Sequence, residues 1–139
     1  MKLMRKTIAA AAAALLASAA FADVNVGVSL SLTGPGSGLG IPMNNYYAKV
    51  FPKTIGGEKV NLIIADDATD PGKGVANARR FVTEDKVDVI IGSTITPVAA
   101  AIAPVAAEAK TVQLAASPVG VPDDSWTFRL PQGNDVMMH

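Results

Sequence analysis

Val60 to Pro97, VNLIIADDATDPGKGVANARRFVTEDKVDVIIGSTITP, is the stretch whose reading decides the fold. It opens on one apolar run, VNLIIA (60–65), and nears its end on another, VDVII (87–91). Each suits a strand buried on both faces. Between them Asp70-Pro71 marks a helix start. The aspartate side chain caps free N–H groups of the first turn, and a proline at the first helical position has no N–H to leave unsatisfied. The helix is expected to run to about Asp85, with Val75, Ala78, Phe81 and Val82 on one stripe and Arg79, Arg80 and Glu84 off it. A strand, a helix and a second strand in this order predict a parallel pair joined by a right-handed crossover.

The same punctuation extends in both directions. Downstream, Thr96-Pro97 opens a helix over Val98 to Lys110, with Thr96 as its N-cap, and Pro104 is expected to kink it. TVQLA (111–115) is a further strand, and Trp126 to Leu130 a short segment in which Trp126 and Phe128 are expected to be core. Upstream, VNVGVSL (24–30) is the first strand, and Pro42 is expected to open a helix from Met43 to Phe51, with at least one of Tyr46 and Tyr47 buried. Regular alternation of this kind predicts an α/β fold, a doubly wound parallel sheet with helices on both faces and strand order 2-1-3-4-5. The sequence ends at GNDVMMH, where Asn134 reads as the N-cap of a helix whose apolar pattern has only begun. Residues 23–139 are therefore expected to be the first part of a longer protein.

Residues 1–22 read as a secretory signal peptide. Lys2, Arg5 and Lys6 precede a small and apolar run, and Ala20-Phe21-Ala22 is a cleavage site of the small-x-small kind. This segment holds three of the twelve Lys and Arg and none of the twelve Asp and Glu, so residues 23–139 carry a formal charge of −3. A mildly acidic chain without basic clusters has no electrostatic footprint for nucleic acid or anionic lipid. There is no cysteine. An exported chain without disulfides must rely on its core, and with the signal removed it is expected to be a periplasmic protein that is not inserted in the membrane.

A ligand in an open α/β sheet sits beyond the carboxyl ends of the strands, where the strand order reverses. That rule brings together the turn Ser31 to Gly40, GSTIT (92–96) and AASP (115–118). The first of these, LTGPGSGLG, is not a dinucleotide fingerprint, because Leu39 or Ile41 falls where the third glycine is required, and no lysine follows as a phosphate loop demands. Hydroxyls at Ser93, Thr94, Thr96 and Ser117, with the positive end of the helix at Pro97, suit a carboxylate. Asp66, Asp67 and Asp70 read as loop and cap residues rather than a metal site, since Ala68 stands where a calcium loop would place a ligand. The sole histidine is His139, so neither a hydrolytic triad nor a His/Cys metal site is assembled from these residues, and no enzyme, cofactor or metal is expected.

The segments SLTGPGSGLGIP, DDATDPGKGVANARRFVTEDKVDVIIGSTITPVAAAIAPVAAEAK, LAASP and WTFRLPQGND together resemble the start of the periplasmic solute-binding proteins of ABC importers. The group most similar is the branched-chain amino-acid (Leu/Ile/Val) binding type, with relatives that take aromatic or other small carboxylates. The resemblance covers Asp23 to His139 and implies the type 1 periplasmic-binding fold, two α/β lobes that close on a ligand, of which this chain is most of the first. It implies that Thr96, Ala116 and Ser117 hold the ligand carboxylate, with Thr94 as a neighbour, and that an inner-membrane ABC permease is the partner. Val119 stands where amino-acid binders often carry a hydroxyl, a departure from the pattern. The other reading of such a fold is the extracytoplasmic ligand-sensing domain of a signalling receptor.

Overall fold

A computed structural model describes residues 23–120, 122 and 125–131. The signal segment 1–22, Asn134 and His139 lie outside the described residues. Strand β1 (Val24–Leu30) leads to helix α1 (Ser37–Val50), and strands β2 (Thr54–Ile55) and β3 (Glu58–Asp66) form a hairpin. Helix α2 (Pro71–Thr83), strand β4 (Val89–Gly92), helix α3 (Thr96–Ala109), strand β5 (Val112–Ala115) and strand β6 (Thr127–Arg129) follow. The sheet order is β2-β3-β1-β4-β5-β6, with every neighbouring pair parallel except the hairpin. Apart from β2, this is the doubly wound order expected from the alternation of strands and helices.

Two apolar layers flank the sheet. On one face Phe81 and Ala78 of α2 and Val98, Ile102 and Val105 of α3 pack on Ala65, Val87 and Ile90. On the other, Met43, Tyr47 and Phe51, spaced four residues apart along α1, pack on Val26, Val28, Leu30 and Ile91. Both helix stripes follow the 3.6-residue period, and the in-register β residues alternate between the two layers.

All three helices have boundaries that differ from the sequence expectation. Helix α1 begins at Ser37 and carries Pro42 inside it. The bond that Pro42 cannot make would go to the carbonyl of Gly38, which is exposed, so water replaces it at little cost. Helix α2 starts as expected, with Asp70 accepting the N–H of Lys73 at 2.7 Å, but its last residue is Thr83. Helix α3 has Ile95 as N-cap, Thr96 as its first residue and Pro97 next, and it continues through Pro104 to Ala109. Pro104 and Ala100, whose carbonyl loses its partner, are both exposed.

Trp126 and Phe128 are not core residues: they are 40% and 55% exposed. The reason is their place at the sheet edge, Phe128 on strand β6 and Trp126 just before it. Ile64, Val28, Ile91, Leu114 and Phe128 form one row across five strands, and the row runs out from under α1 toward β6. Of the two tyrosines, Tyr46 is exposed and Tyr47 is half-buried with its ring edge-on to Phe51.

Candidate functional site

Asp67, Ser31, Thr94 and Ser117 each lie three residues beyond the apolar row Ile64, Val28, Ile91 and Leu114. All four are buried. The carboxyl ends of β3, β1, β4 and β5 are thus topped by polar side chains at the level where the crevice of an open α/β sheet lies. This level divides into two halves of different character.

Around β1 and β3 the polar groups satisfy one another. The Asp67 carboxylate accepts the Ser31 hydroxyl at 2.6 Å, the Ser29 hydroxyl at 3.1 Å and the Thr69 N–H at 3.0 Å. Asp66 accepts the N–H groups of Leu32 at 2.8 Å, Thr33 at 3.2 Å and Ala68 at 2.8 Å, and the Thr33 hydroxyl at 2.6 Å. The Thr69 hydroxyl accepts the Gly36 N–H at 2.9 Å and donates to the Thr33 carbonyl at 3.1 Å. Together these bonds latch the turn after β1 to the turn after β3. Burial pushes the Asp66 carboxyl up, but the Thr33 hydroxyl and the three N–H donors outweigh it and hold the group below the usual carboxylate range. Asp66 is the last residue of β3, not a loop residue, and Asp67 follows it in the turn, both with their oxygens engaged. Among the described residues no group of three or more His, Cys, Asp or Glu is arranged to hold a metal ion.

Past the ends of β4 and β5 two hydroxyls are not satisfied. Those of Thr94 and Ser117 are buried and have no hydrogen-bond partner among the described residues. A buried polar group in that state costs about 1–3 kcal/mol, so it calls for a physical explanation. Helix α3 starts beside them without a side-chain cap. The Ser93 hydroxyl accepts the N–H of Ile95 at 3.3 Å, leaving the N–H groups of the first helical turn aimed outward with their partial positive charge. Two hydroxyl donors beside a helix N-terminus match a carboxylate, which has only acceptors to offer.

The residues singled out in the sequence fall as follows. Thr94 and Ser117 each stand three residues past paired positions, Ile91 and Leu114, of the adjacent strands β4 and β5. Ala116 is half-buried next to Ser117 and offers only its backbone. Thr96, expected to be the N-cap, is instead the first helical residue and half-buried. Extended geometry at Ile95, with φ −112° and ψ 123°, moves the cap one position earlier. Val119 is buried against Ala99 and Ala115 and belongs to the packing beneath the site. The expected turn Ser31 to Gly40 stops short at Gly36, since Gly38 and Gly40 are helical; Gly40 lies so close to β1's exit that a Cβ there would collide with the Ser31 carbonyl.

The sequence reading missed Gln113, a fully buried polar side chain of β5 that reaches the Ala99 carbonyl of α3. It was visible only as an interruption of the apolar run TVQLA. A separate cavity of about 330 Å³, lined by Tyr47, Phe51, Lys53, Val60, Asn61 and Leu62, opens near the start of β3, at the other end of the sheet from the crevice.

Comparison with known proteins places this architecture. The family model described as periplasmic binding protein matches residues 23–137. An extracellular ligand-binding receptor from Rhodopseudomonas palustris HaA2 is 40% identical, with 84% of this chain and 33% of that one covered and a TM-score of 0.80. A solute binding protein of an ABC transporter from Rhodopseudomonas palustris BisB5, solved with 3,4-dihydroxybenzoic acid, is 34% identical over 68% of this chain and 27% of its own, with a TM-score of 0.64. An amino acid binding protein from Pseudomonas aeruginosa is 47% identical over 38 residues, 27% of this chain and 10% of its own. The chain spans about a third of the length of the solved relatives or less. With the family match covering nearly every residue of the doubly wound sheet, the chain belongs to the periplasmic binding protein family.

Proposed function

We propose that this chain forms the first lobe of a two-lobed solute clamp, the substrate-binding component of an ABC importer, and that its crevice takes the carboxylate of a small organic acid. Family membership implies an extracytoplasmic location and a binding role. The observation that carries the reading is the pair of buried hydroxyls, Thr94 and Ser117, with no partner among the described residues, and the start of α3 without a side-chain cap. One carboxylate accepts from both hydroxyls and faces the helix N-terminus. Thr96 and the Ala116 backbone flank it.

The relatives support a carboxylate as the shared chemistry. The Rhodopseudomonas palustris BisB5 protein was solved with an aromatic acid, and the Pseudomonas aeruginosa protein is called amino acid binding. An aromatic acid, a branched-chain amino acid and an aromatic amino acid all present that group and differ in the part the second lobe would enclose. The captured solute would pass to an inner-membrane ABC permease. Among the described residues no helix is long and apolar enough to cross a membrane.

A thermal-shift series on the complete protein with 3,4-dihydroxybenzoate, leucine and phenylalanine tests this, since a ligand bound only by the folded state raises its Tm. The expected result is a rise with one class that shrinks in Ser117→Ala and Thr94→Ala. A rise that both variants keep in full would place the solute elsewhere.

A further inference from the structure

Gln113 sits in the middle of β5, fully buried, and makes three hydrogen bonds with its side-chain amide. Its Nε2 donates to the carbonyl of Gly92 at 2.9 Å and to the carbonyl of Ala99 at 3.0 Å. Its Oε1 accepts the Thr127 hydroxyl at 2.8 Å. The orientation of the amide is fixed by chemistry, because two carbonyls can only accept and must face the NH₂ group. One side chain thereby joins the last residue of β4, the first turn of α3 and the edge strand β6.

The two carbonyls it holds bracket the segment Ser93 to Val98. That segment carries Thr94 and Thr96 and contains the free N–H groups of α3. Outside the helix's own ladder its hydrogen bonds include the Ile95 N–H on the Ser93 hydroxyl at 3.3 Å and the Ala99 N–H on the Ile95 carbonyl at 2.9 Å, and Val98 and Ile95 pack in the apolar layer. Small residues on both sides, Ala99 and Ala115, let α3 approach β5 closely enough for the amide to reach. We propose that Gln113 is a positioning residue for the carboxylate site: through its two donated bonds it sets where Thr94 and the start of α3 stand relative to Ser117. This rests on the solute-binding reading of the crevice.

The bond to Thr127 separates this role from simple core stability. Thr127→Val removes the bond on Oε1 but keeps both bonds to the Ser93–Val98 bracket, whereas Gln113→Met removes all three at similar volume. Amide hydrogen exchange on the complete protein reads the difference at Ile95 and Ala99, against Val28 and Ile64 in the sheet. Gln113→Met is expected to speed exchange at Ile95 and Ala99 relative to the sheet by about tenfold or more, the size expected when buried groups lose their partners. Thr127→Val is expected to leave that ratio unchanged. Titration with 3,4-dihydroxybenzoate is then expected to show binding about tenfold weaker for Gln113→Met and undiminished for Thr127→Val.

Equal exchange ratios in the two variants, or uniform acceleration of all amides by Gln113→Met, would overturn the proposal. If the wild-type protein takes up no 3,4-dihydroxybenzoate, that result counts against the choice of solute, and the exchange ratio alone decides the role of Gln113. Where Gln113→Met does not fold, Gln113→Leu combined with Thr127→Val leaves no hydroxyl unpaired, and its exchange ratio is compared with Thr127→Val alone.

Discussion

Thr94 and Ser117 each hold a buried hydroxyl with no hydrogen-bond partner among the described residues, a cost that a bound acceptor would remove. Removing either hydroxyl therefore has opposite effects on stability and on binding. Ser117→Ala is expected to leave the ligand-free protein unchanged or more stable by about 1 kcal/mol, while weakening solute binding about tenfold or more. Urea unfolding and calorimetric titration of one preparation measure both. Asp66 behaves in the opposite manner, because its oxygens are fully engaged. Its carboxyl is held below the ordinary value near 3.9, so its contribution is present above that pH and lost as the pH falls through the lower folded-state value. Asp66→Asn is expected to flatten the acid limb of a stability-against-pH curve, and an unchanged limb would show that the latch between the two turns contributes nothing. The position of Thr94 and Ser117 past the strand ends was legible in the sequence because the apolar runs mark where parallel strands stop. Gln113 was not, since a single polar residue inside a strand does not reveal which carbonyls it reaches.

At the scale of elements, the start of α2 depends on one side chain. Asp70→Ala is expected to cost about 1 kcal/mol and Asp70→Ser much less, because serine also accepts the Lys73 N–H. Thermal or urea unfolding of the pair distinguishes capping from a general effect of lost charge. The exit of β4 depends on a glycine. Gly92 has φ +115°, and a Cβ there would collide with the Ser29 carbonyl, so Gly92→Ala is expected to lower Tm more than any cap variant and to weaken solute binding with it. Helix α2 was readable from Asp70-Pro71 because cap and proline act through the first turn alone. Helices α1 and α3 began earlier than their prolines suggested, at Ser37 and Thr96, because a proline is also tolerated deeper in a helix when the carbonyl it fails to bond is solvated or when the missing N–H is still one of the free ones. The β2–β3 hairpin was missed although Gly56-Gly57, both at positive φ, is a two-residue hairpin signal.

At the scale of the whole molecule, the strand order followed from the sequence because right-handed crossovers leave few ways to arrange alternating strands and helices. What the alternation could not show is how well each face is covered. Exposure along one apolar row rises from 0% at Val28 and 7% at Ile91 to 55% at Phe128, with Trp126 and Leu130 beside it. Residues 23–139 expressed alone are expected to self-associate through this face and the open β6 edge, and to bind solute very weakly with one wall of the crevice facing water. Light scattering against concentration, with Phe128→Lys as the comparison, checks the first point; a monodisperse monomer at high concentration would contradict it.

The central claim is that a solute carboxylate completes the hydrogen bonding of Thr94 and Ser117. Calorimetric titration of the complete protein and its Ser117→Ala variant with 3,4-dihydroxybenzoate, leucine and phenylalanine tests it most directly. The account predicts that one solute class binds and that the variant loses about tenfold or more in affinity without losing stability. Binding that is equally tight in the variant would contradict it.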